Sequence, residues 1–301
     1  MPHCYLNAEV FRLIASDNTR LQLTFPIQAL EVTGLAFPPI EKRTVRSPFQ
    51  HGETYLGFSL GPRTVQFTLH LRGNSRAGLW GRRQQLVQVL NPLLGPLRVQ
   101  VGFADGSMRE LHQVVYSGGF ELGISTAPDP TSNRIAFELV AYDSVWFGIP
   151  EEATAFATTI AYELVFPAHV PLTFDAAGAI NQVLSLTVHG TWFAYPTIVC
   201  TGPLSYPTIT NLSTGAKIRL LYTVPNGDAV TIRTAFGERG VTNSAGVSLD
   251  GYLSDDSDLV GFYLLPEDFN NGNPNQVSVS AGNCGVASGV SVQWSDRYIA
   301  L

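Results

Sequence analysis

The densest group of side chains that could do chemistry is the acidic run at residues 254–258, which holds Asp255, Asp256 and Asp258. Carboxylates this close could supply oxygen ligands for calcium, or Asp255 and Asp258 could act as acid and base in a glycoside hydrolase. The calcium-binding helix-loop-helix spacing, with its glycine and terminal glutamate, is missing. A solvated loop between strands explains the run more simply, so we predict neither a catalytic nor a metal site there.

The common catalytic and cofactor-binding sequence patterns are absent as well. No two glycines are separated by a single residue and no lysine directly follows a glycine, which excludes dinucleotide-binding and phosphate-loop motifs. Neither HExxH nor GxSxG occurs. His70, His112 and His189 fall within strand-like patterns. A residue on a strand face explains each of them more simply than a catalytic base does. We predict no enzyme activity and no cofactor.

Aromatic residues in the second half of the chain could form a stacking platform for sugar rings. Trp192 and Trp294 are the candidate glycan platforms. They belong to a set with Phe193, Tyr195, Tyr206, Tyr222 and Tyr298. The alternative is that such residues lie in a core or at a subunit contact, where Tyr and Trp are enriched. The sequence leaves both explanations open.

The cysteines and the start of the chain bear on where the protein is made. Cys4, Cys200 and Cys284 are widely spaced and odd in number, which predicts buried thiols rather than a disulfide framework or a zinc site. Glu9 and Arg12 interrupt the apolar run that a signal peptide needs, and no run of about 18 apolar residues predicts a membrane span. We expect synthesis in a reducing cytoplasm.

Charge is sparse and unevenly divided. Charged residues make up 14% of the 301 residues, against about 25% in ordinary soluble domains. Residues 1–150 hold 13 basic and 11 acidic residues, and residues 151–301 hold 5 and 13. Neither half has the dense basic surface of a nucleic-acid-binding protein. The low charge favours a surface shared with other subunits, and the difference between the halves favours two domains.

The elements that must position these residues are mostly short strands. Val65, Phe67, Leu69 and Leu71 alternate with polar residues and predict a half-buried strand. The same pattern recurs at residues 134–142. Residues 97–103 and 109–116 flank an Asp-Gly turn at residues 104–107, which predicts a β-hairpin.

A single segment of the first half has helical spacing. Residues 77–91 follow Ser75, a predicted N-cap, and stop at Asn91 before a proline. The spacing places Leu79, Leu86, Leu90 and also Val87 near one helical face. We predict that Leu86 and Leu90 pack against the first domain.

The second half predicts a β-sandwich of about eight strands. The strand character of the first half ends near residues 145–165, where we place the domain boundary. Strand candidates follow at 184–190, 196–202, 217–224, 228–237, 259–266, 275–282 and 289–294. A proline and an Asn-Gly pair at residues 224–228 predict a tight reversal.

Residues 57–116 resemble the siphophage distal tail protein family, also called Dit or tail-tip hub proteins. The motifs are GFSLGPR at residues 57–63, the strand VQFTLHLRG, the helix GRRQQLVQVLNP and the hairpin opened by GPLR at residues 95–98. The segment FELVAYDSVWFG resembles the family's inter-domain link, with Ser144 where proline is usual. The second half resembles the family's carboxy-terminal β-sandwich of galectin or carbohydrate-binding-module type, and residues 202–211 and 226–230 fit its sequence of strands and turns.

The resemblance implies an all-β protein with one α-helix and two domains. Residues 1–150 would be an N-terminal β-sandwich with a helix and a β-hairpin that forms a ring, and residues 151–301 a projecting β-sandwich. The family member would be a structural virion protein of a long non-contractile phage tail, assembled in the host cytoplasm and located at the tail tip. It would form a homohexamer that joins the tail tube protein, the tape measure protein and the tail-associated hub or lysin protein, with receptor-binding proteins as further partners.

Four arginines follow from this expectation as subunit-interface candidates: Arg63, Arg72, Arg82 and Arg83. Only two of the 18 basic residues are lysine. Arginine suits interfaces because its planar guanidinium makes paired hydrogen bonds, and genome composition is the alternative explanation for its excess. The alternative function is a carbohydrate-binding protein whose second sandwich adsorbs to cell-wall glycans.

Overall fold

The computed structural model describes residues 9–120, 131–156 and 178–301. Over these residues the chain forms β-strands and a single α-helix, as the sequence predicts. The chain divides into two compact units, Met1–Ile149 with Tyr298–Leu301, and Pro150–Arg297. No helix in the described segments has the length and apolarity to cross a membrane.

Among its described residues the first unit contains ten strands and the helix, and the last strand continues into the second unit. The elements are β1 Val10–Ile14, β2 Arg20–Gln22, β3 Ile27–Thr33, β4 Ile40–Val45, β5 Thr54–Leu60, β6 Arg63–Arg72, α1 Arg76–Val89, β7 Leu97–Gly102, β8 Met108–Gly118, β9 Ser132–Ala141 and β10 Trp146–Phe156. One antiparallel sheet has the strand order β2-β1-β7-β8-β9-β6-β3, and β10 also pairs with β8.

The centre of this sheet confirms the predicted alternation. Val65, Phe67, Leu69 and Leu71 on β6 are fully buried, and their polar neighbours face outward. Phe67 lies opposite Phe137 on β9, and the two rings stack with centroids 5.4 Å apart. Burying each of these large apolar side chains stabilises the folded state by roughly 1.5–3 kcal/mol relative to an exposed position.

The helix α1 forms where its spacing and caps predict. The side chain of Ser75 accepts a hydrogen bond from the amide of Gly78 at 3.1 Å. Leu86 and Leu90 are buried in the core of the first unit, which confirms their predicted packing. Val87 instead lies on the exposed side of the helix, because one residue further along turns it about 100° away from Leu86.

Two hairpins differ in how they relate to this sheet. β7 and β8 form the predicted hairpin, closed by a bond from the amide of Phe103 to the carbonyl of Ser107 at 2.9 Å. β4 and β5 form a separate two-stranded sheet that the sequence did not predict. Every residue of β4 is exposed.

The second unit has two antiparallel sheets around its own core. One contains β12, β16, β17, β19 and the end of β10, and the other contains β11, β13, β14, β15 and β18. The bounds are β11 Gly178–Leu186, β12 Thr197–Thr201, β13 Leu204–Asn211, β14 Lys217–Arg219, β15 Thr223–Val224, β16 Ala229–Arg233, β17 Gly240–Asn243, β18 Asn275–Cys284 and β19 Gly289–Tyr298.

Most of the predicted strands of this unit are present, with several differences. The strand β13 is not among the predicted strands, and the single strand predicted at residues 217–224 is divided into β14 and β15. The tight reversal at residues 224–228 is confirmed, with Gly227 at a φ of 80° between β15 and β16. Residues 259–266 were predicted as a strand and form only an isolated bridge, Ala194 to Leu264. The strand β17 was not predicted, because it is short and contains glycine and asparagine.

Candidate functional site

Arg63 is a buried structural residue, which corrects its prediction as a subunit-interface residue. Its side chain is 1% exposed. It donates to the carbonyls of Ser144 at 2.8 Å, Gly34 at 3.0 Å and Ile299 at 2.6 Å, and also to that of Ala36. Burial lowers the pKa of Arg63 to about 10. These contacts satisfy backbone acceptors inside the first unit and leave no surface for a neighbour.

Arg83 is likewise buried, on the inner side of α1, so its prediction as an interface residue is wrong for the same reason. Its guanidinium lies over the ring of Trp80, 5.1 Å from the centroid. Its Nε has no hydrogen-bond partner among the described residues. The long side chain therefore packs along the helix rather than reaching outward.

Arg72 and Arg82 remain predicted interface residues. Arg72 is exposed at the end of β6. Arg82 is half-buried and donates to the side chain of Gln85 at 3.1 Å.

Trp294 is a core residue, which corrects its prediction as a glycan platform. It is 6% exposed and belongs to the core of the second unit. Its ring is therefore closed to a sugar. Trp192 is half-buried and pairs through its backbone with Arg297, so its prediction stays open.

The second unit has a partly exposed aromatic cluster, which combines Phe193 and Tyr195 of the predicted set with Phe236 and Tyr263, which lie outside that set. The rings of Phe193 and Tyr263 lie 4.9 Å apart, and those of Tyr195 and Phe236 lie 5.2 Å apart. The guanidinium of Arg239 lies 4.1 Å from the centroid of Phe236. The alternating run Phe193-Ala194-Tyr195 was a signal for it, since residues two apart in an extended chain face the same way.

The acidic run forms a hydrogen-bonded loop rather than a catalytic pair. Asp256 pairs with Lys217, and that hydrogen bond is the main reason its pKa falls to about 2. Asp258 accepts from the amides of Val260 at 3.0 Å and Gly261 at 2.7 Å. Carboxylates engaged in this way hold the loop closed. No three His, Cys, Asp or Glu side chains in the described ranges come close enough to hold a metal ion.

The histidines and cysteines have structural surroundings. His112 stacks on Phe147 at 4.3 Å and lies 3.4 Å from Glu110, whose pKa it lowers through a hydrogen bond. Cys200 is buried, and desolvation raises the pKa of its thiol to about 12. Cys284 is buried as well, so both thiols fit their prediction. Cys4 lies outside the described residues.

Comparisons with known proteins agree with the resemblance noted in the sequence. Residues 189–298 match the model of the siphovirus-type tail component family, C-terminal domain. No curated protein sequence matches the chain.

Two solved structures share the fold over nearly the whole chain. The Dit protein of phage SPP1, described as a paradigm of the hub adsorption apparatus in phages that infect Gram-positive bacteria, has a TM-score of 0.61 at 14% identity. That match covers 96% of this chain and 99% of the other. A chain of the phage p2 baseplate, in its activated conformation with strontium, has a TM-score of 0.51 at 9% identity and covers 95% of this chain and 98% of that one.

The family match lies in the second unit, whereas most of the sequence motifs that suggested the family lie in the first. The shared fold spans both. The second unit is therefore similar to the siphovirus-type tail component family, and the chain shares its fold with the SPP1 Dit protein.

Proposed function

We propose that this protein forms a homohexameric ring at the distal end of a long non-contractile phage tail, where it joins the tail tube to the adsorption apparatus. The observation that carries the proposal is the fold, which is shared with the SPP1 Dit protein over 96% of this chain. In this role the tail tube protein binds on one side of the ring, and the hub or lysin protein binds on the other. The end of the tape measure protein lies in the lumen.

The charges of the two halves support different surroundings for them. The first half is nearly neutral, with a net charge of +2, as expected of a surface largely covered by neighbouring subunits. The second half has a net charge of −8, which favours exposure to water on the outside of the tail. In this proposal the first unit forms the ring and the second unit projects.

Averaged electron-microscopy images of isolated tails test the proposal directly. We expect a sixfold ring at the tip that gains density when a folded tag is fused to this protein. A tip without a ring, or a tag located elsewhere along the tail, would overturn it. Tails rather than the free protein are the right sample, because subunits can stay monomeric until they assemble.

Glycan binding by the second unit is a second candidate function, and the aromatic cluster at Phe193, Tyr195 and Phe236 favours it. Exposed rings beside an arginine combine a stacking surface with hydrogen-bond donors, which sugars require. A glycan array with the whole protein tests this. Binding that is lost in Phe236→Ala or Trp192→Ala, with unchanged thermal unfolding, would support it. An array without any bound glycan would contradict it.

A further inference from the structure

The hairpin of β4 and β5, here called the hairpin arm (residues 40–60), exposes many large apolar side chains. Val45, Tyr55 and Leu56 are each about half exposed or more, and Phe49 is fully exposed. Among the described residues the two strands pair only with each other. A lone two-stranded hairpin is marginally stable in water, and exposed apolar clusters usually mark contact surfaces. The arm therefore has the character of an element completed by a partner.

The base of the hairpin arm is held firmly by the rest of the first unit. The amide of Gly61 donates to the carbonyl of Pro39 at 2.7 Å, and the hydroxyl of Ser144 donates to the carbonyl of Gly61. Arg63 donates to the carbonyl of Gly34 at 3.0 Å in the loop that leads into the arm. A base fixed in this way presents the arm in one orientation, which lowers the entropy lost when a partner binds.

One face of the hairpin arm is apolar and contains a single cation. Thr44 lies directly opposite Tyr55, and alternation along β4 places Ile40 and Lys42 on this same face. Glu41 and Arg43 belong to the other face. A partner of this face must offer apolar surface with a negative charge in it.

The edge strand β3 of the same chain offers such a surface. Among the described residues β3 pairs only with β6. Leu30 on β3 and Phe25 just before it are 50% and 71% exposed. Glu31 is exposed on β3 and lies opposite Thr68, on the outward face of the sheet. Glu138, two strands away on the same outward face, accepts a hydrogen bond from Gln66 at 2.6 Å, and Arg134 and Arg72 lie further along this face.

We propose that the hairpin arm of one copy docks on the β3 edge of a second copy, with Lys42 facing Glu31. A second copy is the favoured occupant because both complementary surfaces, the apolar face with a cation and the apolar edge with a carboxylate, lie on this one chain. Since the two surfaces differ, the contact is head-to-tail and repeats around a closed ring. The inference rests on the proposed ring and names the contact that would build it.

The scarcity of lysine permits a clean cross-linking test, because Lys42 and Lys217 are the only lysines in the chain. A carbodiimide joins an amine and a carboxylate in contact as an amide, and takes up the water that is lost. Treated tails should give a ladder of chain multimers beyond the dimer on a denaturing gel, with peptides linking Lys42 to Glu31. Lys42→Arg should abolish the ladder while keeping the charge, and Lys217→Arg should leave it intact.

Three results would overturn the inference. One is a ladder that persists in Lys42→Arg, another is Lys42 linked only to a different tail protein, and the third is a product that stops at the dimer, as a symmetric contact would give. Tails that show the ring in images but no link between Lys42 and Glu31 refute this inference alone. Tails without a ring refute the proposed function.

Exchange of the two charges provides an independent check. Glu31→Lys and Lys42→Glu should each weaken ring assembly about tenfold, and the double variant should restore it, because the opposite charges again face each other. Both residues are exposed, so each variant should unfold at the wild-type temperature. A double variant as defective as the single variants would count against the pairing.

Discussion

The guanidinium Nη2 of Arg63 donates to the carbonyl of Ile299 at 2.6 Å, across 236 positions of sequence. Arg63 thereby connects β6 to the returning end of the chain and to the loop before the hairpin arm. A buried cation is costly unless several acceptors surround it, and the four carbonyls around Arg63 provide this compensation.

Replacing Arg63 should destabilise the first unit strongly. Arg63→Met nearly keeps the side-chain volume but leaves buried carbonyls without hydrogen-bond donors. One buried carbonyl without a donor lowers the free energy of unfolding by roughly 1–3 kcal/mol. We expect a loss of about 3 kcal/mol in the free energy of unfolding, measured by urea denaturation. Arg72→Met, at an exposed site, is the matched control and should change it by less than about 0.5 kcal/mol. Equal effects of the two substitutions would disprove the structural role.

Trp294 should affect stability rather than ligand binding. Trp294→Ala removes a buried ring from the core of the second unit, which typically costs about 3–5 kcal/mol. Calorimetry should show one transition shifted to a lower temperature. An unshifted transition would mean that the ring is not part of the core.

Two glycines near α1 should respond in opposite directions to the same substitution. A Cβ at Gly73 would lie 2.4 Å from the amide nitrogen of Leu79, whereas a Cβ at Gly81 meets nothing within 4 Å. Gly81→Ala should stabilise the protein by about 0.5–1 kcal/mol, because alanine favours helix. Gly73→Ala should destabilise it, since backbone must shift. Thermal unfolding of the pair tests this, and a stabilised Gly73→Ala would contradict it.

The loop around Asp256 should contribute to stability in a pH-dependent manner. Its pKa falls from 3.8 to about 2 on folding, so its contribution is present above about pH 4 and is lost as the pH falls towards 2. Asp256→Asn should therefore flatten the decline of the unfolding temperature between pH 4 and pH 2. Identical declines for the variant and the wild type would exclude the effect.

The sequence predicted the central strands and the helix because their patterns are local. Val65 to Leu71 alternate with polar residues, and Ser75 with Asn91 bounds α1. Whether each arginine is buried or exposed could not be predicted from local patterns. Arg63 and Arg72 are both arginines on β6, so their local sequence does not distinguish them. Only the tertiary fold brings the carbonyls of residues 34, 144 and 299 around Arg63.

The candidate surfaces were missed for a related reason. The hairpin arm begins with the charged run Glu41-Lys42-Arg43 and contains no long alternation, so nothing local distinguishes it from a loop. The aromatic cluster joins Phe193, Tyr195, Phe236 and Tyr263 from distant parts of the chain. Trp294 is chemically as suitable for sugar stacking as Trp192, and only burial separates them.

The return of residues 298–301 to the first unit means that the second unit is an insertion within the first. The chain crosses between the units twice, after Ile149 and after Arg297. A single proteolytic cut at either crossing leaves the other crossing intact. Arg109 holds the returning segment, with its guanidinium 3.8 Å from the ring centroid of Tyr298. A cut after Arg297 alone therefore leaves the second unit covalently joined to residues 1–149, whereas a cut after Ile149 alone breaks that covalent link.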